Sequence, residues 1–155
     1  MLNAVSRCTA LLATGLALGP ALAHLFELPN KIALPRDQYL VVQTIYNGWN
    51  RLGFVLALQL AAIVAVIVLS RDDPRARWAG IIALLALVCA QAVFWAFTFP
   101  ANQATANWTT MPDNWDALRH QWEYSHAVGA GFQFTVLAAL AIGLVARRPA
   151  EIPPR

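Results

Sequence analysis

Charged side chains are scarce in this sequence. Only 12% of its 155 residues are Asp, Glu, Lys or Arg, against about 25% in a soluble domain. Those few are segregated, leaving long runs with almost none. That excludes an ordinary soluble globular domain and places the chain among integral membrane proteins. Cysteine is nearly absent as well. Cys8 and Cys89 lie in separate apolar runs, which excludes a disulfide framework or a thiolate metal site, and both read as buried small hydrophobes. No basic surface interleaved with aromatics occurs, so no nucleic-acid partner is expected. The net charge of +3 comes largely from loop and tail arginines and bears on orientation.

What the sequence does have is four apolar stretches. They predict an all-α fold, a single four-transmembrane-helix bundle over 1–155, with helices at about 5–26, 39–70, 78–99 and 115–146. Residues 1–26 also look like a signal peptide with Ala21-Leu22-Ala23 as its cleavage box, but read here as a retained helix kinked at Gly19-Pro20. Residues 27–51 read as a connection, punctuated by Pro29 and Pro35 and helical from Tyr39, where it runs into the second span. The turn Ser70 to Trp78 holds three arginines. Pro100 is expected to end the third helix, and Arg147-Arg148-Pro149 the fourth. Arg7, the 71–77 arginines and the 147–148 pair all fall on one side, which predicts cytoplasmic termini. Residues 100–122 form a Trp-rich loop on the opposite face. It is too long to be structureless in a compact protein, and its three tryptophans argue for order.

The ionisable groups within the apolar stretches carry the functional signal, because a charge in hydrocarbon is costly unless paired or used. Glu123 and His126 are three residues apart on one helical face, with Arg119 one turn earlier. His24 and Glu27 form the same pair at the end of the first helix, followed by Lys31. The two helices run in opposite directions, so the pairs match in depth: both carboxylates outermost, both imidazoles deeper. One reading is a metal site of His24, Glu27, Glu123 and His126 for one iron, zinc, manganese or copper ion. A carboxylate-bridged dinuclear centre would need further acids, and the other two helices supply only Asn47, Asn50, Gln59 and Gln91. Haem held by His24 and His126 is disfavoured, since it needs a large apolar cleft. The other reading is a structural or proton-handling cluster, with Glu27 paired to Lys31 or Arg119 and Glu123 to Arg119 or Arg51. Trp108, Trp115 and Trp122 read either as an interfacial belt or as the wall of a pocket for a flat apolar substrate, oriented by Asn102 and Asn107. His120 is expected exposed, and Gln59, Gln91 and Gln133 are expected to bond across helices.

Three segments, Ala23 to Lys31, Phe99 through Trp108, and Trp115 to His126, resemble a family of small four-helix membrane proteins. That family includes the fungal anthrone oxygenases and many bacterial members. The similarity covers most of the chain and implies a bacterial inner-membrane protein. Anthrone oxygenases insert oxygen into a polycyclic aromatic and have been regarded as needing no added cofactor. The resemblance therefore implies Asn102, Asn107, Trp108, Trp115, Arg119, Trp122, Glu123 and His126 as site residues. Where the family often carries an Arg shortly after the His, this chain runs Ala127-Val128-Gly129-Ala130-Gly131.

Two functions compete at this level. One is a membrane oxidoreductase or oxygenase acting on a lipophilic aromatic or quinone-like molecule. There Glu123 or His126 would act as base and Arg119 would stabilise an oxyanion. The other is a non-catalytic subunit of a larger membrane complex, with the His/Glu cluster structural and Gly129 and Gly131 permitting close helix contacts. Expected partners are the bilayer and a lipophilic small molecule, with a homo-oligomer or larger complex left open. Transport is disfavoured, because no line of charge crosses the bilayer.

Overall fold

The computed structural model describes residues 1–145. Among them all regular structure is helical: α1 Leu2–Lys31, α2 Arg36–Gln43, α3 Leu52–Leu69, α4 Pro74–Val93, α5 Phe99–Ala104 and α6 Trp115–Val145. A helix satisfies its own backbone donors and acceptors, which hydrocarbon cannot do for it. Four stretches are long and apolar enough to cross a membrane: Leu2–Lys31, Trp49–Leu69, Pro74–Ala104 and Trp115–Leu144. The chain is a multi-pass membrane protein. The expected stop of the fourth helix at Ala146 and Arg147-Arg148-Pro149 lies outside the described residues.

Three expected boundaries are corrected. The first helix does not end at residue 26. Pro20 and Pro29 both lie inside α1, and hydrogen bonding resumes at once past Pro29, with Ile32 N donating to Leu28 O at 3.0 Å. Nor does Pro100 end the third helix. A π-helical turn at Phe94–Thr98 joins α4 to α5, and its wider register absorbs the donor that Pro100 lacks. The expected unbroken helix over 39–70 is interrupted. After α2 the chain makes a 3-10 turn at Thr44–Tyr46, then Asn47 is extended and Gly48 is left-handed at φ 84°. Only glycine takes that conformation freely.

At one end of the bundle the N-terminal turn is clasped to the α3–α4 turn. Arg7 bridges Asp73 at 2.8 Å and Ser70 at 3.2 Å, and Asn3 reaches the carbonyl of Leu69 at 3.2 Å. Asp73 also caps α4 by accepting from Ala76 N at 3.3 Å, ahead of Pro74 in the first turn. At mid-depth the core is built from small and branched residues, among them Ala10, Ala62, Ile63, Ala83 and Val136. Fully buried Gln59 donates to Gln133 at 2.9 Å and to Thr14 at 3.2 Å. Three spans are thereby tied through amide and hydroxyl groups that lipid cannot satisfy. Gln91, expected to join them, makes no such bond. Cys8 and Cys89, expected buried, are exposed on the outside of the bundle; in a membrane protein that is where small hydrophobes meet lipid.

The glycines that allow close helix approach differ from those expected. A Cβ on Gly129 or Gly131 would meet nothing within 4 Å. A Cβ on Gly143 would collide with Ala79 Cβ, and one on Gly80 would come within 2.7 Å of Ile67. We therefore expect Gly143→Ala to lower the thermal midpoint in detergent. Overpacking costs about 1–3 kcal/mol, more than the roughly 1 kcal/mol of helix propensity gained. Gly131→Ala, which meets open space, should leave the midpoint unchanged or raise it.

Candidate functional site

The other end of the bundle is organised by Lys31, the last residue of α1. Its Nζ lies 3.0 Å from Glu123 Oε1 of α6, and the Tyr39 hydroxyl of α2 donates to the same oxygen at 2.9 Å. Lys31 donates to Tyr46 at 2.7 Å, and Tyr46 in turn donates to Glu27. Lys31 Nζ also stands 3.8 Å from Glu27 and over the rings of Tyr46 and Trp122, at 4.4 and 4.8 Å from their centroids. Glu123 and Tyr39 are fully buried and Lys31 is 3% exposed. Charges this deep persist only when paired and hydrogen-bonded, as Lys31 and Glu123 Oε1 are. The pairing of Glu123 with Arg119 or Arg51 is thus corrected. Arg119 turns away to the carbonyl of Leu34 at 2.8 Å and to Asp116, and its guanidinium stacks on Trp115 at 4.7 Å.

One turn deeper along α6 and two turns back along α1, the two imidazoles meet. The His24 and His126 ring centroids are 4.2 Å apart, within a ring of aromatics formed by Tyr46, Trp49 and Trp122. His126 Nδ1 lies 2.9 Å from the carbonyl of Trp122. A carbonyl only accepts, so Nδ1 carries the proton and the lone pair of the neutral ring is left on Nε2. His24 Nδ1 is buried without a hydrogen-bond partner.

Both imidazoles form part of the wall of a cavity of about 920 Å³ between the spans. Its lining is largely aromatic and amide: Trp49, Trp95, Trp108 and Trp122 with Asn102 and Asn107 among others. Alanine and glycine at 17, 21, 53, 90 and 129 leave the space open. The segment after α5 shapes one wall at a cost. Ala106, Asn107 and Trp108 are left-handed in succession, at φ 48°, 57° and 63°, each a sterically penalised choice outside glycine. Thr105 holds the turn by accepting from Trp108 N at 3.0 Å and donating to Ala101 O at 2.8 Å. Trp108 is thereby set edge-on to Tyr39, and Asn102 accepts from Trp122 Nε1 at 2.8 Å.

Of the residues singled out from sequence, His24, His126, Asn102, Asn107, Trp108 and Trp122 line the cavity. Glu27, Glu123, Arg119 and Trp115 do not; Trp115 packs beside Tyr39 and under Arg119. His120 is exposed, as expected. Lys31 and Tyr39 both engage Glu123 Oε1, and Lys31 and Tyr46 engage Glu27, while Glu123 Oε2 is buried without a hydrogen-bond partner. Among the described residues no three His, Cys, Asp or Glu side chains are grouped as metal ligands. Imidazoles in ring contact also leave no gap for a porphyrin between them. Tyr39, Tyr46, Trp49 and Trp95 are site residues that the sequence did not disclose. Only Lys31, one turn past the His24/Glu27 pair, gave a signal. No known protein family, curated protein or solved structure matches the chain.

Lys31→Met alone leaves Glu123 charged in an apolar setting and should cost about 3–5 kcal/mol in unfolding titrations in mixed micelles, while Lys31→Met with Glu123→Met should recover most of that loss. Burial, then the neighbouring carboxylates Glu123 and Glu27, push the Tyr39 and Tyr46 hydroxyls above the usual phenol range. Their contribution is therefore complete below about pH 10, where the unfolded phenols titrate. It falls as pH rises beyond that, and Tyr39→Phe with Tyr46→Phe should flatten the alkaline limb of the stability–pH profile.

Proposed function

We propose that this protein binds a flat lipophilic ring carrying phenol or ketone oxygens in the cavity and oxidises it there. His126 Nε2 serves as the base. The observation that carries the reading is an imidazole whose Nδ1 is held by the Trp122 carbonyl, on the wall of a cavity lined by indoles and amides. Aromatic side chains sandwich flat rings, and a few amides orient their oxygens. His24 packs against His126 and positions it, while Glu123 and Arg119, engaged elsewhere, hold the scaffold. The resemblance to anthrone oxygenases points to the same substrate class.

The chemistry needs only a base and dioxygen. His126 accepts a proton from an activated CH₂ group, leaving an electron-rich carbanion. The carbanion combines with dioxygen, and the proton returns to give a CH–OOH carbon. Loss of water then leaves a carbonyl, so CH₂ and O₂ become C=O and H₂O. In this reading the termini are cytoplasmic, which the arginine-rich turn at 70–78 supports, and the cavity lies towards the extracytoplasmic side of a bacterial inner membrane.

One observation favours a second reading, a non-catalytic subunit of a larger membrane complex: the carboxylates serve packing, Glu123 joining α6 to Lys31 of α1 and Glu27 tying the Tyr46 turn to α1. Oxygen uptake distinguishes the two. With anthrone added to protein in lipid nanodiscs, the first reading predicts ring-dependent quenching of tryptophan fluorescence and stoichiometric oxygen consumption. His126→Ala should cut turnover by about 10²-fold or more with quenching retained. Quenching without any oxygen uptake supports the accessory role, and neither signal with any flat phenol or quinone overturns the binding site itself.

A further inference from the structure

A second, smaller hollow lies between α3 and α4. It measures about 280 Å³ and is lined by Leu56, Ala57, Leu60, Leu87, Val88 and Gln91. Leu56 and Gln91 also line the large cavity, so the two spaces adjoin along one wall. From Leu56 to Leu60 the helix rises about 6 Å, which carries the hollow away from the histidines to the middle of the Trp49–Leu69 span. The depth on the facing span is the same, because Gln91 and Leu87 sit near the middle of Pro74–Ala104. Leu60 and Val88 are exposed on the outer surface of the bundle, so the groove faces the acyl chains.

Five of the six lining residues are aliphatic. The sixth, Gln91, stands where groove and cavity join, and its amide makes no hydrogen bond to the described residues. An amide at mid-span without a protein partner is expensive in hydrocarbon unless a ligand supplies one. The junction therefore suits the place where a polar ring substituent ends and a hydrocarbon chain begins.

We propose that the ligand of the cavity is a ring with a long isoprenoid or alkyl tail, and that the tail leaves past Leu56 and Gln91 to lie in the groove between α3 and α4. This rests on the cavity holding a flat ring and adds the tail and its route. Moving a tail from lipid into an apolar groove gains little, since both are apolar. The groove thus acts through shape, giving the tail of a ring seated in the cavity a path that does not bury it among the amides.

The test uses two probes with one ring: 2,3-dimethoxy-5-methyl-1,4-benzoquinone, and the same quinone bearing a ten-carbon chain. Binding is read by tryptophan quenching in phosphatidylcholine nanodiscs. Leu60→Phe and Val88→Phe, both at exposed positions, fill the groove without touching the histidines. The expected result is a loss of at least about tenfold in affinity for the tailed quinone, with the tail-less one bound as before. Tailed quinone bound equally well by wild type and filled variants overturns the route while leaving the cavity reading intact. If neither quinone quenches the wild type, both fall. Should the variants lose both probes, a tailed quinone with a diazirine at its chain end decides on the wild type. Labelling at Leu60, Leu87 or Val88 supports the route, and labelling confined to other spans or to lipid overturns it.

Discussion

The buried ion pair between Lys31 and Glu123 is the constraint on which this end of the protein depends. Lys31 is the only lysine in the chain, and it is placed almost wholly out of solvent against a carboxylate that has none of its surface exposed. Removing two such charges from water costs several kcal/mol per ion, and only close geometry with further hydrogen bonds recovers it. Tyr39 and Tyr46 provide those bonds, which is why α2 and the turn after it fold over the bundle instead of lying free. With the pair fixed, the helical repeat fixes what lies beneath: His24 two turns before Lys31, His126 one turn after Glu123. The contact between the imidazoles is a consequence of the ion pair above them.

A second polar clamp, Gln59 with Gln133 and Thr14, sits nearer mid-depth. The cavity lies at the level of the histidines and reaches this clamp, whose Gln133 forms part of its wall. An apolar bundle would ordinarily close such a void, because unfilled space forfeits packing energy. Here the spans are held by polar contacts above and beside it, and alanine or glycine at 17, 21, 53, 90 and 129 leaves the space open between the aromatic walls. The π-helical turn at Phe94–Thr98 belongs to the same arrangement, since it sets Phe94, Trp95 and Thr98 on the cavity wall.

Much of this architecture was legible in the sequence, and for physical reasons. Lipid demands long uncharged helices, so four spans could be read directly. The His24/Glu27 and Glu123/His126 pairs stood out because ionisable groups in such runs are rare, and antiparallel helices had to match them in depth. What escaped was set by three-dimensional context. Pro29 and Pro100 look like stops, yet α1 runs on past the first and a π-helical turn precedes the second. The Asn47-Gly48 dipeptide is a turn former whose signal was outweighed by the helical pattern around it. Arg119 lies one turn from Glu123 in sequence, but Lys31 from a distant helix claimed the carboxylate. Gly129 and Gly131 looked like packing glycines, while the close approach falls at Gly80 and Gly143, where the neighbour's side chain decides. The left-handed run at 106–108 had no glycine to announce it.

The order of the chain gives the ion pair a temporal side. Synthesis proceeds from the N-terminus, so Lys31 emerges from the ribosome and must be positioned at the membrane long before Glu123 exists. Until the final span inserts, its ammonium has only Glu27 and the phenols nearby, and the first helix can stay loosely seated, its end drawn towards the interface. Arrival of the last helix supplies the missing carboxylate and draws the first into its final depth. Close seating of α1 is thereby coupled to insertion of α6, and a product lacking that span would leave the Lys31 ammonium without its buried carboxylate.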